Sequence, residues 1–299
     1  MNICVFMTIP GCEKGEVVYP TGGTSASSDP HSYDSDGDGP DAEGLPYLNI
    51  FTLPTQGETG GAASGTEQYY STNFGNVHIV SLDSQLSNAD DDLRTAMRDW
   101  LIADLKASQT QDWKIVIFHH PPYSKGENHD SDLEKKEIDM RQTFAPVFEE
   151  YGVDAVYSGH AHSYERSWYL RGHYGGSETF NVVNHSATDK NGRATFGHPG
   201  TPYKQDNHLV YTVAGSSGKA NKWHPCDPGK YVNGQAYGCT MDNWLMHPAH
   251  RTFGKLDKDY RQNGIARLGS VAIDITTTTF TSRFVDYNGE VLDTFVIKK

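Results

Sequence analysis

The sequence predicts an α/β fold in which helices pack on a parallel or mixed β-sheet. The first observation is that strand-like and helix-like stretches alternate between residues 76 and 159. Chains with this alternation place successive strands in one sheet and connect them through helices on its faces. The second observation is that the helical periodicity fades after about residue 170, where strand-like runs follow. These later runs are expected to be strands as well.

Three runs before residue 160 have the composition of strands. Residues 76–83 (NVHIVSLD) alternate in polarity and are rich in β-branched side chains. Residues 113–118 (WKIVIF) form a continuous apolar run, which is typical of a strand covered on both faces. Residues 154–159 (DAVYSG) form the third run and end in a glycine.

Two helices are predicted between these strands. Asn88 is expected to cap the first helix, because three aspartates follow it in the first turn. The apolar side chains of that helix recur at helical spacing: Leu93, Met97, Trp100, Leu101 and Leu105. The second helix is predicted near residues 141–151 and should end at Gly152. Its inward-facing side chains are Phe144, Val147, Phe148 and Tyr151.

The second half of the chain reads as loops and strands. The predicted strands are 209–215, 270–275, 280–287 and 291–298. Asn288-Gly289, between the last two, is a strong signal for a hairpin. No internal repeat or low-complexity linker divides the chain, so residues 1–299 are expected to form a single domain. Within it, 1–75 are mostly loop, 76–170 form the α/β core, and 171–299 contain loops and the C-terminal strands.

Composition narrows the classes of partner. The 299 residues carry a formal net charge of −13, which argues against nucleic acid or an anionic membrane surface, because phosphate contacts need clustered lysine and arginine. No apolar run approaches the roughly 20 residues of a membrane helix. The N-terminus lacks the pattern of a signal peptide. Residues 3–10 (ICVFMTIP) read as a buried strand instead, which predicts that the sequence begins inside a fold.

Two loops carry weaker signals. Asp34, Asp36 and Asp38 imitate the start of a calcium loop, but position 45, where the closing glutamate belongs, is Leu45, so a solvated acidic loop is the better interpretation. Cys226 and Cys239 lie in one loop rich in glycine and proline. They are either a disulfide formed in an oxidising compartment or two free thiols.

The most informative feature is that histidines follow two of the predicted strands. His119 comes directly after residues 113–118, and His160 and His162 come after residues 154–159. Because ligands bind open α/β sheets at the carboxyl ends of the strands, these imidazoles are expected at one rim. Imidazole binds iron, zinc and manganese ions, and two histidines one residue apart in an extended turn can serve two ions about 3.5–4 Å apart. The remaining histidines are interpreted as surface or hydrogen-bonded groups, for example His78, His173, His247 and His250.

Two sequence blocks resemble a known family. Residues 116–119 (VIFH), which continue as HPPYS, and residues 159–162 (GHAH), which continue as SYERS, are similar to the last two signature blocks of the calcineurin-like metallophosphoesterases. The purple acid phosphatase-like branch matches in both order and spacing. The resemblance covers residues 45–175 well, and covers 205–220 and the C-terminal strands more loosely. It implies a metallophosphoesterase-type sandwich of mixed β-sheets flanked by helices, N-terminally incomplete in this sequence.

This resemblance implies a dinuclear metal centre that hydrolyses phosphate esters. His119 and His160 would bind one metal ion and His162 the other. The cofactors would be two divalent or trivalent ions, iron together with zinc, manganese or a second iron. Two such cations neutralise the phosphoryl oxygens and acidify a bound water.

Further residues take roles from the same resemblance. His129 matches a position where this branch has a histidine that binds phosphate or protonates the leaving group, and a solvated loop residue is the alternative interpretation. Tyr164, Glu165 and Arg166 would form either a supporting shell or an Arg–Glu packing pair.

Three earlier signature blocks of the family are absent from the sequence, namely Asp-x-Gly, Gly-Asp-x-x-Tyr and Gly-Asn-His-Asp/Glu. Gly11-Cys12-Glu13 stands where the third is expected but lacks the asparagine and the histidine. The carboxylate ligands of the family are therefore missing. Neither Asp83 nor Glu13 has the spacing of a substitute.

The sequence therefore predicts a phosphoric ester hydrolase that acts on small phosphate monoesters, secreted or periplasmic by the family resemblance. A non-catalytic remnant that acts as a binding or structural module is the alternative, because the carboxylates are absent. A mononuclear hydrolase with a three-histidine site is a third hypothesis.

Overall fold

The computed structural model describes residues 51–85, 91–125, 129–187, 207–220, 247–251 and 264–299. For residues 2–3, 231–232, 235–236 and 260–261 it gives the strand backbone alone. The predicted acidic loop at 34–45, the predicted cap Asn88, and Cys226 and Cys239 lie outside these residues.

The structure has fourteen strands and four helices within its described part. The strands are β1 (Asn2–Ile3), β2 (Tyr70–Phe74), β3 (Val77–Ser81), β4 (Trp113–Ile117), β5 (Ala155–Ser158), β6 (Tyr164–Leu170), β7 (Leu209–Ala214), β8 (Tyr231–Val232), β9 (Gln235–Ala236), β10 (Tyr260–Arg261), β11 (Gly264–Ile265), β12 (Gly269–Ile275), β13 (Thr279–Asp286) and β14 (Val291–Lys298). The helices are α1 (Asp91–Ala107), α2 (Lys135–Asp139), α3 (Ala145–Glu150) and α4 (Val182–His185). A π-helical turn (Met140–Phe144) connects α2 to α3, and a 3-10 turn lies at Ser177–Thr179.

The strands form a large mixed sheet, a smaller antiparallel sheet and a separate two-stranded ladder, β8 with β9. The spatial order in the mixed sheet is β10-β11-β6-β7-β5-β4-β3-β2, and in the smaller sheet it is β1-β12-β13-β14. Strands β3, β4, β5 and β7 pair in parallel, whereas β2 and β6 run antiparallel to their neighbours. The predicted α/β fold is confirmed, and its large sheet is mixed. The carboxyl ends of four central strands consequently lie at one edge.

Helices cover one face of the mixed sheet. The second helical segment consists of α2, the π-helical turn and α3, residues 135–150. Its Phe144 and Phe148 are fully buried in one cluster with Met97 and Leu101 of α1 and Val116 of β4. The apolar faces predicted for both helices are confirmed by this packing. The second helical segment begins at Lys135 and not near residue 141, because its first turn carries charged side chains that give no apolar periodicity.

The antiparallel sheet covers the opposite face. Trp113 and Tyr157 of the mixed sheet share a second buried cluster with Phe280 and Phe295 of β13 and β14. Trp113 Nε1 also donates a hydrogen bond to the Thr276 carbonyl at 2.6 Å. The order of layers is therefore helices, mixed sheet and antiparallel sheet. The two-sheet sandwich agrees with the expected fold, although the second sheet is antiparallel and not mixed.

Two of the longer strands, β2 and β6, have no counterpart in the sequence prediction, and neither do the two-residue strands β8 to β11. Tyr70–Phe74 forms β2 within the stretch 1–75, which is predicted to be mostly loop, and it pairs with β3 along its length. Tyr164–Leu170 forms β6, although its composition (YERSWYL) is too polar to suggest a buried strand. Six of the seven residues of β6 are buried, because their polar side chains find partners in the surrounding layers.

A buried ion pair joins the two sheets. Arg166 of β6 donates from Nε to Asp293 Oδ2 at 2.6 Å and from Nη2 to Oδ1 at 3.1 Å. The Tyr164 hydroxyl and Arg251 Nη1 donate to the same carboxylate at 2.8 and 2.6 Å. Burial alone would raise the pKa of Asp293, but the charge and hydrogen bonds of Arg166, supported by Arg251 and Tyr164, hold this pKa below its ordinary value.

The substitution Asp293→Asn should lower the free energy of unfolding by about 3 kcal/mol, because it leaves the Arg166 charge buried and uncompensated. The lowered pKa means that the carboxylate contributes its full stability above the unfolded-state pKa of about 3.9 and loses it as the pH falls through the folded-state pKa. Urea denaturation at pH 7 and below pH 4 measures both effects, and the difference between wild type and variant should shrink in acid.

The matched control is Asp274→Asn on the same sheet. Asp274 pairs with Arg283, and both side chains are more than a third exposed. A surface pair of this kind contributes at most about 1 kcal/mol. Equal losses in the two variants would contradict a special role for the buried pair.

Candidate functional site

The parallel pairing of β4 with β5 brings two of the predicted histidines together. His119 lies two residues beyond β4, and His160 lies two residues beyond β5. The Phe118 amide donates to the Tyr157 carbonyl at 3.1 Å, and the Gly159 amide donates to the His119 carbonyl at 2.9 Å. These bonds continue the ladder past the strand ends. The two imidazoles therefore start from backbone positions that are fixed relative to each other.

The turn that carries His160 is tight. His160 has a φ of 67°, in the left-handed region that few residues other than glycine adopt. The sequence analysis predicts an extended turn at this position, so the left-handed conformation differs from the prediction. The Ala161 amide donates to the Gly159 carbonyl, and the Ser163 amide donates to the Ala161 carbonyl. Strained backbone of this kind persists where surrounding contacts hold it, and it is common at functional sites.

Gly215 holds this turn from the next strand. It follows β7, and its amide donates to the Ser163 carbonyl at 3.1 Å. A Cβ atom at position 215 would lie 2.0 Å from the Ala161 carbonyl oxygen. The backbone of β7 and the turn at 159–163 therefore approach closely, and this approach requires a glycine.

Ring nitrogens of His119 and His160 face each other. His160 Nδ1 lies 3.2 Å from His119 Nε2, and the ring centroids are 5.1 Å apart. His120 is next to both, with ring centroids 4.8 Å from His119 and 4.6 Å from His160. Ligand atoms of the three histidines lie within 4.8 Å of one another. They form one of two groups of possible metal ligands among the described residues.

Glu134 connects His160 to His129. Its Oε2 lies 3.0 Å from His160 Nε2, and its Oε1 lies 2.9 Å from His129 Nδ1. An ionised carboxylate only accepts hydrogen bonds, so His160 Nε2 and His129 Nδ1 carry the protons. His160 Nδ1 then presents a lone pair towards His119. Glu134, His129 and His160 are the second group of possible ligands.

The electrostatics leave neutral imidazoles beside an ionised carboxylate. Burial, followed by the neighbouring charge of His160, lowers the pKa of His119 to about 3 and that of His120 well below its ordinary value. Burial also lowers the pKa of His160, although Glu134 partly opposes this effect. For Glu134, burial would raise the pKa, but the hydrogen bonds from His129 and His160 outweigh it and lower the pKa to about 2.

Ser84 fixes His120 from the neighbouring strand end. Its Oγ accepts a hydrogen bond from the His120 amide at 3.0 Å and lies 2.8 Å from His120 Nδ1. Ser84 follows β3, so three successive parallel strands contribute to the cluster.

The structure brings three of the four predicted site residues together. His119, His129 and His160 come together, whereas His162 belongs to neither group of closely spaced ligand atoms within the described residues. His162 is half-buried, and its charge is one of the causes that lower the pKa of His119. Its assignment to a second metal ion stays a prediction.

Two members of the cluster were missed by sequence reasoning. His120 follows His119 directly, and strand alternation alone would turn the two side chains to opposite faces. Glu134 lies fifteen residues beyond His119 in a polar stretch, and no regular spacing links it to the histidines. The one feature of the sequence that could have pointed to Glu134 is its position five residues after His129.

Glu165 and Arg166 have different partners. Glu165 Oε1 accepts hydrogen bonds from Ser124 Oγ at 3.2 Å and Ser163 Oγ at 2.7 Å, and its Oε2 lies 3.1 Å from His250 Nδ1. Arg166 binds Asp293 on the other face of β6. Glu165 therefore supports the segment just after the histidine turn, while Arg166 joins the two sheets.

The donor set fits a metal ion. Two nitrogen ligands at about 2.0–2.1 Å from a tetrahedral ion lie about 3.3 Å apart, close to the 3.2 Å between His119 Nε2 and His160 Nδ1. Neutral imidazole is the form that binds metals. A carboxylate on the far nitrogen of a ligating histidine, as Glu134 is on His160, is the common arrangement that orients such a ligand.

Comparisons with known proteins give the same family as the sequence blocks. Residues 29–164 match the calcineurin-like phosphoesterase family. Purple acid phosphatase 1 of Ipomoea batatas is 29% identical over 178 residues, which cover 59% of this chain and 32% of that protein. Purple acid phosphatase 22 of Arabidopsis thaliana is 35% identical over 105 residues, which cover 34% of this chain and 23% of that protein.

A solved structure supports the fold. The purple acid phosphatase from yellow lupin (Lupinus luteus) seeds matches with a TM-score of 0.51 and 17% identity, over 87% of this chain and 36% of that one. Residues 29–164 are therefore similar to the calcineurin-like phosphoesterase family, and the chain resembles purple acid phosphatases in part of its length. The chain spans about a third or less of the length of these two curated relatives.

Substituting Gly215→Ala should destabilise the histidine turn. The new methyl group would meet the Ala161 carbonyl at 2.0 Å, and relieving this clash requires a backbone shift. Overpacking of this kind costs about 1–3 kcal/mol of unfolding free energy. Gly218→Ala is the control, because a Cβ atom there meets nothing within 4 Å. Urea denaturation and metal content measure the effect, and a G215A protein equal to G218A in both would contradict this close approach.

His119→Ala and His160→Ala should each lower the metal-to-protein ratio, because each removes one of two facing ligand nitrogens. The loss of metal affinity should be at least the roughly 10–100-fold seen when a residue that only orients a ligand is removed. Elemental analysis after loading with zinc, manganese or iron measures it. His185→Ala is the control, since its ring lies in a separate group with Phe180 and His173. Wild-type metal content in both site variants would show that the ligand assignment is wrong.

Proposed function

We propose that this chain is the metal-binding part of a phosphoric ester hydrolase. The observation that carries the proposal is the pair of neutral nitrogens of His119 and His160, oriented through Glu134 with His129 on the same carboxylate. The family match of residues 29–164 supports hydrolysis of phosphate esters as the reaction class. The carboxylate ligands of the family are absent from the sequence, and Glu134 has a different role, because its two oxygens hold His160 and His129 in place. Histidines that are fixed in this way favour an enzyme over a non-catalytic module.

Each residue of the cluster has a role that follows from its chemistry. His119 and His160 would hold a metal ion, with His120 as a further candidate ligand, and a bound cation supplies charge neutralisation and an acidified water. Glu134 accepts a hydrogen bond from Nε2–H of His160 and so keeps Nδ1 available as a ligand. The same carboxylate holds His129 Nδ1, so Nε2 of His129 is the atom left to exchange a proton with the substrate. A histidine in that position protonates the departing alkoxide.

The proposal extends to the identity of the metal ions and of the substrate. We infer two divalent or trivalent ions, iron with zinc, manganese or a second iron, and a small phosphate monoester as substrate. Purple acid phosphatases among the relatives support this choice. The acidic net charge of −13 favours a small ligand over nucleic acid or an anionic membrane as the partner. A secreted or periplasmic location follows from the same kinship. Among the described residues, no helix has the length and apolar character needed to cross a bilayer.

A single-ion site is the second candidate. His119, His120 and His160 form a three-histidine group, which is a ligand set known from mononuclear zinc enzymes. Elemental analysis separates the two candidates, because two ions per chain would exclude the mononuclear site.

Hydrolysis of p-nitrophenyl phosphate by the full chain tests the proposal. With zinc, manganese or iron added, the wild type should release p-nitrophenol. His129→Ala should lower kcat by about 10²–10⁴-fold through loss of the proton donor. Glu134→Gln should lower kcat/KM by about 10–100-fold, because it removes the group that orients His160.

The control for these variants is Glu150→Gln, an exposed glutamate at the end of α3. It should turn over substrate as the wild type does. Absence of turnover with all three metals, in a chain that binds them, would overturn the proposed function.

A further inference from the structure

A lysine that has no carboxylate partner among the described residues lies beside the histidine cluster. Lys136, in the first turn of α2, is half-buried, and its Nζ donates a hydrogen bond to Gln85 Oε1 at 2.7 Å. No carboxylate of the described residues lies within ion-pair distance of this ammonium. Its neighbour Lys135 is different, because that side chain is 61% exposed and pairs with Asp139.

Glu134 is only two residues from Lys136, yet it does not form an ion pair with this lysine. Both oxygens of Glu134 are occupied by His129 and His160. The chain as a whole carries a large excess of acidic groups, with 38 aspartates and glutamates against 25 lysines and arginines. This partly buried lysine has no carboxylate partner in the part of the chain that the structure describes, and it is held by its neutral partner Gln85.

The two segments that hold the ammonium are the same two that build the cluster. Gln85 follows Ser84, which binds the amide and Nδ1 of His120. Lys136 follows Glu134, which binds His160. The positive charge of Lys136 is also one of the causes that lower the pKa of His119, His120 and His160, which places the ammonium within electrostatic reach of all three rings.

An unpaired ammonium next to a cation-binding site is unfavourable unless an anion lies between them. Charges of one sign at short range repel, and burial strengthens that repulsion. A phosphoryl group removes the conflict, because its oxygens can contact the metal ion on one side and accept hydrogen bonds from lysine on the other. Lysine binds phosphate as a point charge with three donors, and a fixed side chain loses less entropy on binding.

We propose that Lys136, held in place by Gln85, binds a non-bridging phosphoryl oxygen of the substrate at the edge of the histidine cluster. This inference rests on the proposed function for the identity of the anion. The site would favour a dianionic phosphate monoester over a diester, because an extra positive charge contributes more to binding of the more highly charged group.

Binding of inorganic phosphate tests the proposal without relying on turnover. Isothermal titration calorimetry of the metal-loaded chain should show a Kd about tenfold higher in Lys136→Gln than in the wild type, the loss expected for one charge-assisted hydrogen bond. Gln85→Glu should weaken phosphate binding to a similar extent, because a carboxylate there would neutralise the ammonium in place. The metal-to-protein ratio of both variants should equal that of the wild type.

Lys135→Gln is the matched control, since it removes the same charge one residue away on an exposed side chain. It should leave the Kd for phosphate unchanged. A wild type that binds no phosphate, a Lys136→Gln variant that binds it as the wild type does, or an equal loss in Lys135→Gln would each overturn the proposal.

Parallel assays with p-nitrophenyl phosphate separate this inference from the proposed function. Phosphate binding that depends on Lys136 in a chain without turnover would reject the hydrolase and keep the anion site. Turnover with an unchanged KM and an unchanged phosphate Kd in Lys136→Gln would reject the anion site and keep the hydrolase.

Discussion

The parallel pairing of β4 with β5 is the constraint on which the candidate site depends. Two strands that run side by side in the same direction end at the same edge, and each of them is followed within two residues by a histidine. The bond between the Gly159 amide and the His119 carbonyl extends the pairing beyond the strands. An antiparallel arrangement of the same two segments would separate these imidazoles by the length of a strand. The buried runs WKIVI and AVYS, which favour this pairing, are therefore as important to the site as the histidines.

Around this pair, each neighbouring element contributes one fixing contact. Ser84 after β3 holds His120, Gly215 after β7 accommodates the histidine turn, and Glu134 at the start of the second helical segment orients His160. The result is a group of neutral nitrogens around a single ionised carboxylate. Such a group can bind a metal ion, because burial keeps the imidazoles in the neutral form that acts as a ligand.

The two faces of the mixed sheet pack against different layers. The helical face covers the core beneath the site, while the antiparallel sheet closes the other face through aromatic packing and the ion pair between Arg166 and Asp293. Glu165 and Arg166 illustrate the division, because alternation along β6 sends one side chain towards His250 and the other towards Asp293. Adjacent residues of β6 thus serve the site and the sandwich separately.

The sequence by itself determined the alternation of strands and helices, the apolar faces of both helices, the C-terminal hairpin, and the placement of His119 and His160 after strands, since each of these depends on local periodicity and composition. It did not indicate β2 or β6, whose stability comes from pairing with distant strands. It also did not indicate Glu134, His120 or Lys136 as members of the cluster. Those residues are recruited by contacts between segments far apart in the chain, such as Glu134 to His160 and Gln85 to Lys136. Only the tertiary structure decides such contacts, because a side chain's partner depends on where the layers of the fold bring it, and no spacing along one segment encodes that position.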